Sequence, residues 1–270
     1  MLHRALSLSL LVVLAGPILA QRAPATKQKA DAHVVFVGNS YTFYHDMPAM
    51  LRALGRGDAQ AKVITTTMVT PGGCTWQRHD GNDKDDGPAA TIKEQRPDFV
   101  VLQEQSRMPL DDPERMQKFG KRLAKMVAKR RAEPVWYMTW ARQHQPERQD
   151  EITAQYEQAQ RDNGGRLAPV GRAWQLVLAD EPKLALHMPD KSHPNPQGSY
   201  LAACVLYVTM FGGDVTTFPD KLTEPVEGGE AKVLVELEPK VGARLRAAAK
   251  KALGEYPKGK ASRRGSGTRR

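Results

Sequence analysis

Two segments far apart in the chain hold residues that could perform nucleophilic chemistry together. The stretch GNSYT at residues 38–42 follows an apolar run and places Ser40 in a tight turn. On a proline-rich loop, Asp190 stands three positions before His193. That spacing lets the carboxylate bond one imidazole nitrogen while the other faces outward, as a general base and its orienting group require. A Ser in such a turn is by itself more often a local hydrogen-bonding residue, so its role depends on the fold.

The chain alternates short apolar runs with helical patterns, which predicts an α/β fold. Continuous apolar runs such as VVFV and FVVL are typical of strands covered by helices on both faces. We therefore expect a three-layer α/β sandwich with a five-stranded, mainly parallel sheet. In such folds, sites lie beyond the carboxyl ends of the strands, where the Ser40 turn is placed. The candidate strands are HVVFVG (33–38), KVITTTMV (62–69), DFVVLQE (98–104), VWYMTW (135–140) and the weaker RLAPVG (166–171).

Helices are predicted between and after these strands. Asp46 is expected to cap one helix, with Pro48 in its first turn. Asn195 followed by Pro196 begins another helix, which ends at Gly212. Further helices are predicted over residues 113–131, 147–162 and 238–253.

The two ends of the chain differ from its middle. Residues 1–20 combine a basic start, an apolar run and a small residue at the end, which predicts a cleavable signal peptide. Residues 21–30 are predicted to be a linker, 31–257 the folded domain, and 258–270 a basic disordered tail. The formal net charge of +10 resides in the two ends, so no nucleic-acid-binding face is expected. We expect a secreted or periplasmic protein without a transmembrane segment.

Taken in order, these blocks resemble those of the SGNH (GDSL-like) hydrolase superfamily. That family has a Ser after the first strand, a Gly after the second, an Asn after the third and Asp-x-x-His before the last helix. Ser40, Gly73 and the Asp190–His193 pair match this order. The stretch DKSHPNPQGSYLAACVLY is similar to the family's final block, and the resemblance covers roughly residues 33–213. It is greatest for an exported branch whose third block reads like LQEQS.

The resemblance implies a flavodoxin-like sheet and ester hydrolysis through an acyl-enzyme, without a metal or other cofactor. It implies that Ser40 is the nucleophile, His193 the general base and Asp190 the group that orients it. It also implies that the backbone N–H groups of Ser40 and Gly73 belong to the oxyanion hole. We expect a small-molecule or polysaccharide ester as substrate.

The third oxyanion donor departs from the family pattern, because QEQS stands where the family has G-x-N-D. Losing one such donor costs about a hundred- to a thousand-fold in rate, so a substitute is expected. We predict that the side-chain amide of Gln105 takes this role, in preference to Gln103. Trp76, His79 and Trp140 are predicted to contact substrate.

A metal site is the first alternative. The loop HDGNDKDDG beginning at His79 lacks the Asp and Gly spacing of a calcium loop. His187 together with Asp190 and His193 satisfies no zinc spacing known to us. For Cys204, a buried thiol is favoured over a disulfide with Cys74.

The absent third-block Asn leaves two other classes of function open. One is a non-catalytic carbohydrate-binding protein on the same fold, and the other is a structural surface protein that uses the basic tail. Among ester substrates, an acetyl group on carbohydrate is favoured over a lipid or another small ester. The reason is that the chain has few aromatic residues and no recognisable lipid-binding lid.

Overall fold

The computed structural model describes residues 31–58, 62–69, 76 and 87–256. The predicted signal peptide, linker and basic tail lie outside these residues, as do Gly73, Cys74 and His79.

The five predicted strands form one sheet, and every neighbouring pair in it is parallel. Along the sheet the order is β2-β1-β3-β4-β5. The predicted α/β class and parallel sheet are therefore confirmed, and the strand ends differ from the prediction by a few residues. The strands are β1 (Ala32–Val37), β2 (Ile64–Val69), β3 (Phe99–Leu102), β4 (Glu133–Tyr137) and β5 (Arg166–Ala168).

Helices cover both faces of the sheet. They are α1 (Ser40–Phe43), α2 (Met47–Gly57), α3 (Pro88–Gln95), α4 (Met108–Asp111), α5 (Pro113–Lys129), α6 (Gln149–Asn163), α7 (Val170–Asp180), α8 (Pro196–Phe211) and α9 (Pro239–Glu255). An antiparallel hairpin of β6 (Lys221–Glu224) and β7 (Lys232–Glu236) lies outside the main sheet.

The apolar residues of β1 divide between two hydrophobic cores. Val34 and Phe36 pack in the core that contains α2, α7, α8 and α9. Val35 and Val37 pack in the core that contains α3, α5 and α6. Because successive side chains of a strand point to opposite faces, a strand between two helix layers needs apolar residues at every position. The predicted three-layer sandwich is confirmed by this arrangement.

The longer predicted helices are confirmed as α5, α6, α8 and α9. At the start of α8, the Asn195 side chain accepts the Gly198 N–H at 3.0 Å, which is the predicted cap. Within α8, Cys204 is a fully buried free thiol, and burial raises its pKa to about 12.

The predicted cap of α2 is wrong. Asp46 precedes the helix, but its φ is 55° and its side chain makes no capping hydrogen bond. A capping residue needs extended backbone to bring its side chain over the first N–H groups. The Asp46 carboxylate instead pairs with Lys232 at 3.2 Å.

Within the described ranges, no helix has the length and apolar character needed to cross a membrane.

Candidate active site

A tight turn at the carboxyl end of β1 presents Ser40. A Cβ at Gly38 would lie 2.7 Å from the Thr42 hydroxyl and 2.8 Å from the Gln103 amide oxygen, so the turn requires glycine there. Asn39 has an extended backbone, and its side chain accepts the Tyr41 N–H at 3.0 Å. This cap starts α1 at Ser40 and places the hydroxyl at the edge of the sheet.

Residues 186–195, here called the histidine loop, are held by short-range backbone hydrogen bonds. The Met188 N–H donates to the His193 carbonyl at 2.8 Å, and the Lys191 N–H donates to the Met188 carbonyl at 2.9 Å. Lys191 has a left-handed φ of 62°, which closes the turn between Asp190 and His193. The loop is thus a defined structure that joins directly to α8.

The histidine loop brings His193 to Ser40 across 153 positions of sequence. The Ser40 Oγ lies 2.7 Å from His193 Nε2. The other ring nitrogen, Nδ1, is hydrogen-bonded to Asp190 Oδ2. Asp190 Oδ1 accepts the backbone N–H groups of Ser192 and His193, each at 3.0 Å. The three predicted catalytic residues therefore form one hydrogen-bonded chain.

Asp190 is held in its ionised form. Desolvation by burial acts to raise its pKa, but the His193 side chain and the N–H groups of Ser192 and His193 outweigh it. The result is a pKa lowered to about 2. A carboxylate that stays charged can fix the imidazole tautomer and stabilise an imidazolium.

Aromatic rings that the sequence interpretation did not single out surround the His193 imidazole. Tyr44 stacks on it with centroids 4.5 Å apart and planes 20° apart, and Tyr41 meets it edge-on at 5.6 Å. The Tyr41 hydroxyl also lies 2.7 Å from Ser192 Oγ. The run SYTFY, which begins at Ser40, was the available signal, because residues beside a nucleophile turn lie close to its base.

Gln103 supports the Ser40 turn from the end of β3. Its Oε1 accepts the Asn39 N–H at 2.9 Å and the Thr42 hydroxyl at 3.0 Å. Its Nε2 donates to the Glu104 carbonyl. The oxygen and one of the two N–H groups of this buried amide are therefore engaged, which makes Gln103 a support of the Ser40 turn.

Gln105 remains the predicted side-chain donor. Its Oε1 accepts the N–H groups of Arg107 at 2.7 Å and Met108 at 3.1 Å, where α4 begins. Within the part of the chain that the structure describes, neither the Gln105 amide NH2 nor the Ser40 N–H has an acceptor. Both groups are available to a ligand.

Trp76 and Trp140 are each 1 % exposed, which corrects the expectation that they contact substrate. Trp76 packs against Trp136 and Tyr156, with centroids 5.6 and 6.3 Å away. Trp140 is stacked between Tyr41 and another indole, Trp174, and its Nε1 donates to the Ser192 carbonyl at 3.0 Å. Both rings pack within the hydrophobic cores and are not accessible to a substrate. The hydrogen bond from Trp140 to Ser192 supports the histidine loop.

Residues 140–149, α7 and residues 182–187 border a cleft of about 550 Å³. Neither Ser40 nor His193 lines it. One lining residue, His187, is hydrogen-bonded to the Ala141 carbonyl at 3.1 Å, and burial lowers its pKa. Across residues 31–58, 62–69, 76 and 87–256, no three His, Cys, Asp or Glu side chains are grouped so that they could hold a metal ion.

Comparison with known proteins gives no matching family model and no matching curated protein. Solved structures do match. A protein from Slackia heliotrinireducens described as a candidate SGNH hydrolase is 28 % identical, with a TM-score of 0.55, over 67 % of this chain and 100 % of that one. A DUF4886 family protein from Bacteroides uniformis is 18 % identical, with a TM-score of 0.59, over 82 % and 94 %.

A third solved structure is the acetyl xylan esterase AlAXEase. It is 17 % identical to this chain, with a TM-score of 0.51, over 65 % of this chain and 98 % of that one. At this identity the likeness concerns the fold. The sheet order, the turn that carries Ser40 and the Asp190-x-x-His193 block before α8 agree with the pattern that the sequence resembled. The chain is therefore similar to SGNH hydrolases in its fold and in the order of these residues along the chain.

Proposed function

We propose that this chain is a serine ester hydrolase that works through an acyl-enzyme. The observation that carries the proposal is the distance of 2.7 Å between Ser40 Oγ and His193 Nε2, with Asp190 on the other ring nitrogen. A nucleophile, a base and an orienting carboxylate joined in this order are the arrangement that activates a serine hydroxyl.

In the first half-reaction, Ser40 Oγ attacks the ester carbonyl while His193 Nε2 takes its proton. The ionised Asp190 stabilises the resulting imidazolium. His193 then protonates the leaving alcohol as the tetrahedral intermediate collapses to the acyl-enzyme. In the second half-reaction, His193 activates a water molecule that releases the acid and restores Ser40.

The negative charge on the tetrahedral intermediate needs preorganised donors. We assign this role to the backbone N–H groups of Ser40 and Gly73 and to the side-chain amide of Gln105. The support for Ser40 and Gln105 is that their N–H groups have no other acceptor in the described portion of the molecule. Gly73 is assigned from the sequence alone.

We assign an acetyl ester on carbohydrate as the substrate class. Phe43, three positions after Ser40, leaves 44 % of its surface exposed and stands 5.4 Å from Tyr44, the ring that stacks on His193. An exposed aromatic surface beside the nucleophile suits the apolar face of a sugar ring. A fold like that of an acetyl xylan esterase is consistent with this class. The pattern of residues 1–20 supports export to a secreted or periplasmic location.

The test is hydrolysis of p-nitrophenyl acetate by the purified protein and by Ser40→Ala. We expect the variant to lower kcat/KM by roughly ten thousand-fold or more. Thr209→Ala is the matched control, because it removes a buried hydroxyl bonded within α8 to Val205. An unchanged rate in Ser40→Ala would overturn the proposal. A wild-type protein that binds glycans but hydrolyses no ester would instead be a carbohydrate-binding protein.

The substrate class is tested by comparing acetylated xylan oligosaccharides with p-nitrophenyl esters of medium-chain acids. We expect the higher kcat/KM on the acetylated glycans. A preference for the medium-chain esters would identify a lipase or a small-ester esterase and contradict the carbohydrate assignment.

A further inference from the structure

We propose that Glu104 is a positioning residue of this site, and that its ionised carboxylate holds the backbone of Gln105, the predicted side-chain oxyanion donor. The inference rests on the proposed ester hydrolysis and deepens it. Glu104 follows β3 directly, and its side chain is 1 % exposed. A carboxylate so deeply buried needs strong hydrogen bonds to remain there.

The Glu104 carboxylate is bonded to two backbone N–H groups from separate segments. Both oxygens lie 3.0 Å from the Trp76 nitrogen, and Oε1 lies 2.7 Å from the Gln105 nitrogen. Trp76 is 28 positions away in sequence and is fixed on its other side by packing in the core. The carboxylate therefore ties Trp76 to the end of β3.

One of the two bonded residues carries a predicted oxyanion donor. Gln105 supplies the predicted side-chain amide, and its own backbone N–H is held by Glu104. The carboxylate thus anchors the backbone of that donor.

The Glu104 backbone also connects to the nucleophile turn. Its carbonyl accepts the Gln103 Nε2–H, which leaves the Gln103 oxygen to accept the Asn39 N–H beside Ser40. Its N–H donates to the Tyr156 hydroxyl at 3.2 Å, which anchors the same backbone to α6.

The charge of Glu104 matters because N–H bonds to an ionised oxygen are roughly twice as strong as bonds to a neutral one. Burial raises the pKa of Glu104 to about 7, against the opposing effect of the Gln105 and Trp76 N–H groups and the charge of Arg115 on α5. The titratable group that faces it from α6 is the Tyr156 phenol, whose pKa burial also raises. Glu104 therefore changes charge in the neutral pH range, where loss of the charge weakens both bonds.

The experiment is the pH profile of kcat/KM for p-nitrophenyl acetate between about pH 5 and 9. In the wild type, protonation of Glu104 should lower the activity in addition to protonation of the general base, so the acid limb should be steeper than the log–log slope of about 1 that one titrating group gives. In Glu104→Gln, we expect a slope of about 1 and a kcat lowered roughly ten- to a hundred-fold at alkaline pH, with KM little changed. Glu133→Gln, at the start of β4 and paired with Arg166, is the matched control and should keep the wild-type profile.

The outcomes separate this proposal from the proposed function. If Ser40→Ala retains activity, ester hydrolysis by this site is wrong whatever Glu104 does. If Ser40→Ala is inactive while Glu104→Gln keeps the wild-type kcat and slope, the function stands and the role of Glu104 is overturned. If Glu104→Gln does not fold, the pH profile of Glu104→Asp is the test. A steep acid limb with a reduced kcat would support the proposal, and an acid limb with a slope of about 1 would contradict it.

Discussion

Two polar segments contact the Ser40 turn, and they differ in burial and in the range of their hydrogen bonds. In the histidine loop, the side chains of Asp190 and His193 are 46 % and 26 % exposed, and they are three positions apart. At the end of β3, Gln103 and Glu104 are 1 % exposed. Their bonds to Asn39 and Trp76 span 64 and 28 positions.

The difference matches the proposed division between groups that react with substrate and groups that position them. A general base must reach solvent and substrate, and the partly exposed His193 satisfies this proposed role while short-range bonds within its own loop support it. A buried amide or carboxylate cannot meet substrate, but its hydrogen bonds are little weakened by water. The end of β3 therefore holds the Ser40 turn and Trp76.

The largest effect is expected from breaking the histidine loop at Asp190. Asp190→Asn removes the charge that stabilises the imidazolium and the acceptor that sets the tautomer. We expect kcat for p-nitrophenyl acetate to fall roughly a thousand- to ten thousand-fold. Asp214→Asn is the matched control, because Asp214 is also exposed and accepts a backbone N–H from a residue two positions ahead, without an imidazole partner. Equal activity in the two variants would show that Asp190 only caps its turn.

The end of β3 should also make the stability of the protein depend on pH, in addition to its effect on the rate. Glu104 has a folded pKa of about 7, against 4.5 for a free side chain. Between these values the folded state binds more protons, so Glu104 lowers the free energy of unfolding as pH rises from about 4.5 to 7. Its full effect is at most about 3 kcal/mol.

Urea unfolding of the wild type and Glu104→Gln at about pH 5 and pH 8 measures this contribution. We expect the free-energy difference between the two proteins to shift in favour of Glu104→Gln at the higher pH. His187, whose pKa burial lowers, acts in the opposite direction, but it is present in both proteins and cancels in the difference. A pH-independent difference would mean that Glu104 does not titrate in this range.

The smallest effect is expected from the stacked indoles behind the histidine loop. Trp140 donates to the Ser192 carbonyl, whereas the Trp174 Nε1–H has no partner in the described part of the chain. Trp140→Phe should therefore lower the free energy of unfolding by about 1 kcal/mol more than Trp174→Phe. It should also reduce kcat severalfold, because Ser192 precedes His193. Equal effects on stability and on kcat would indicate that Trp140 only fills space.

The distance in sequence that each hydrogen bond spans also explains which features could be predicted from the sequence. The five strands follow from continuous apolar runs, and the Asp190–His193 pair follows from a spacing of three residues. Both are local signals. The partners of Gln103 and Glu104 depend on which strands become neighbours, and no local pattern reports this. The sequence predicts Gln105 in preference to Gln103, and the structure adds support, because the Gln103 oxygen and one of its N–H groups are bonded within the protein.

Other predictions failed for physical reasons of the same kind. Asp46 has the residue type of a cap, but a left-handed backbone removes its side chain from the helix start. Trp76 and Trp140 are next to predicted site segments, yet core packing takes their rings. The hairpin of β6 and β7 was not predicted, because its strands are short and separated by a polar turn.

The central claim is that Ser40 is an activated nucleophile, and covalent labelling tests it most directly. Diethyl p-nitrophenyl phosphate should form a bond from Ser40 Oγ to phosphorus, releasing p-nitrophenolate while His193 takes the hydroxyl proton. Mass spectrometry of the digested protein should then find a single diethylphosphoryl group on the peptide that contains Ser40, much slower labelling in Asp190→Asn, and none in Ser40→Ala. An unlabelled Ser40 in protein that is folded, or a label on another residue that Ser40→Ala does not abolish, would contradict the account.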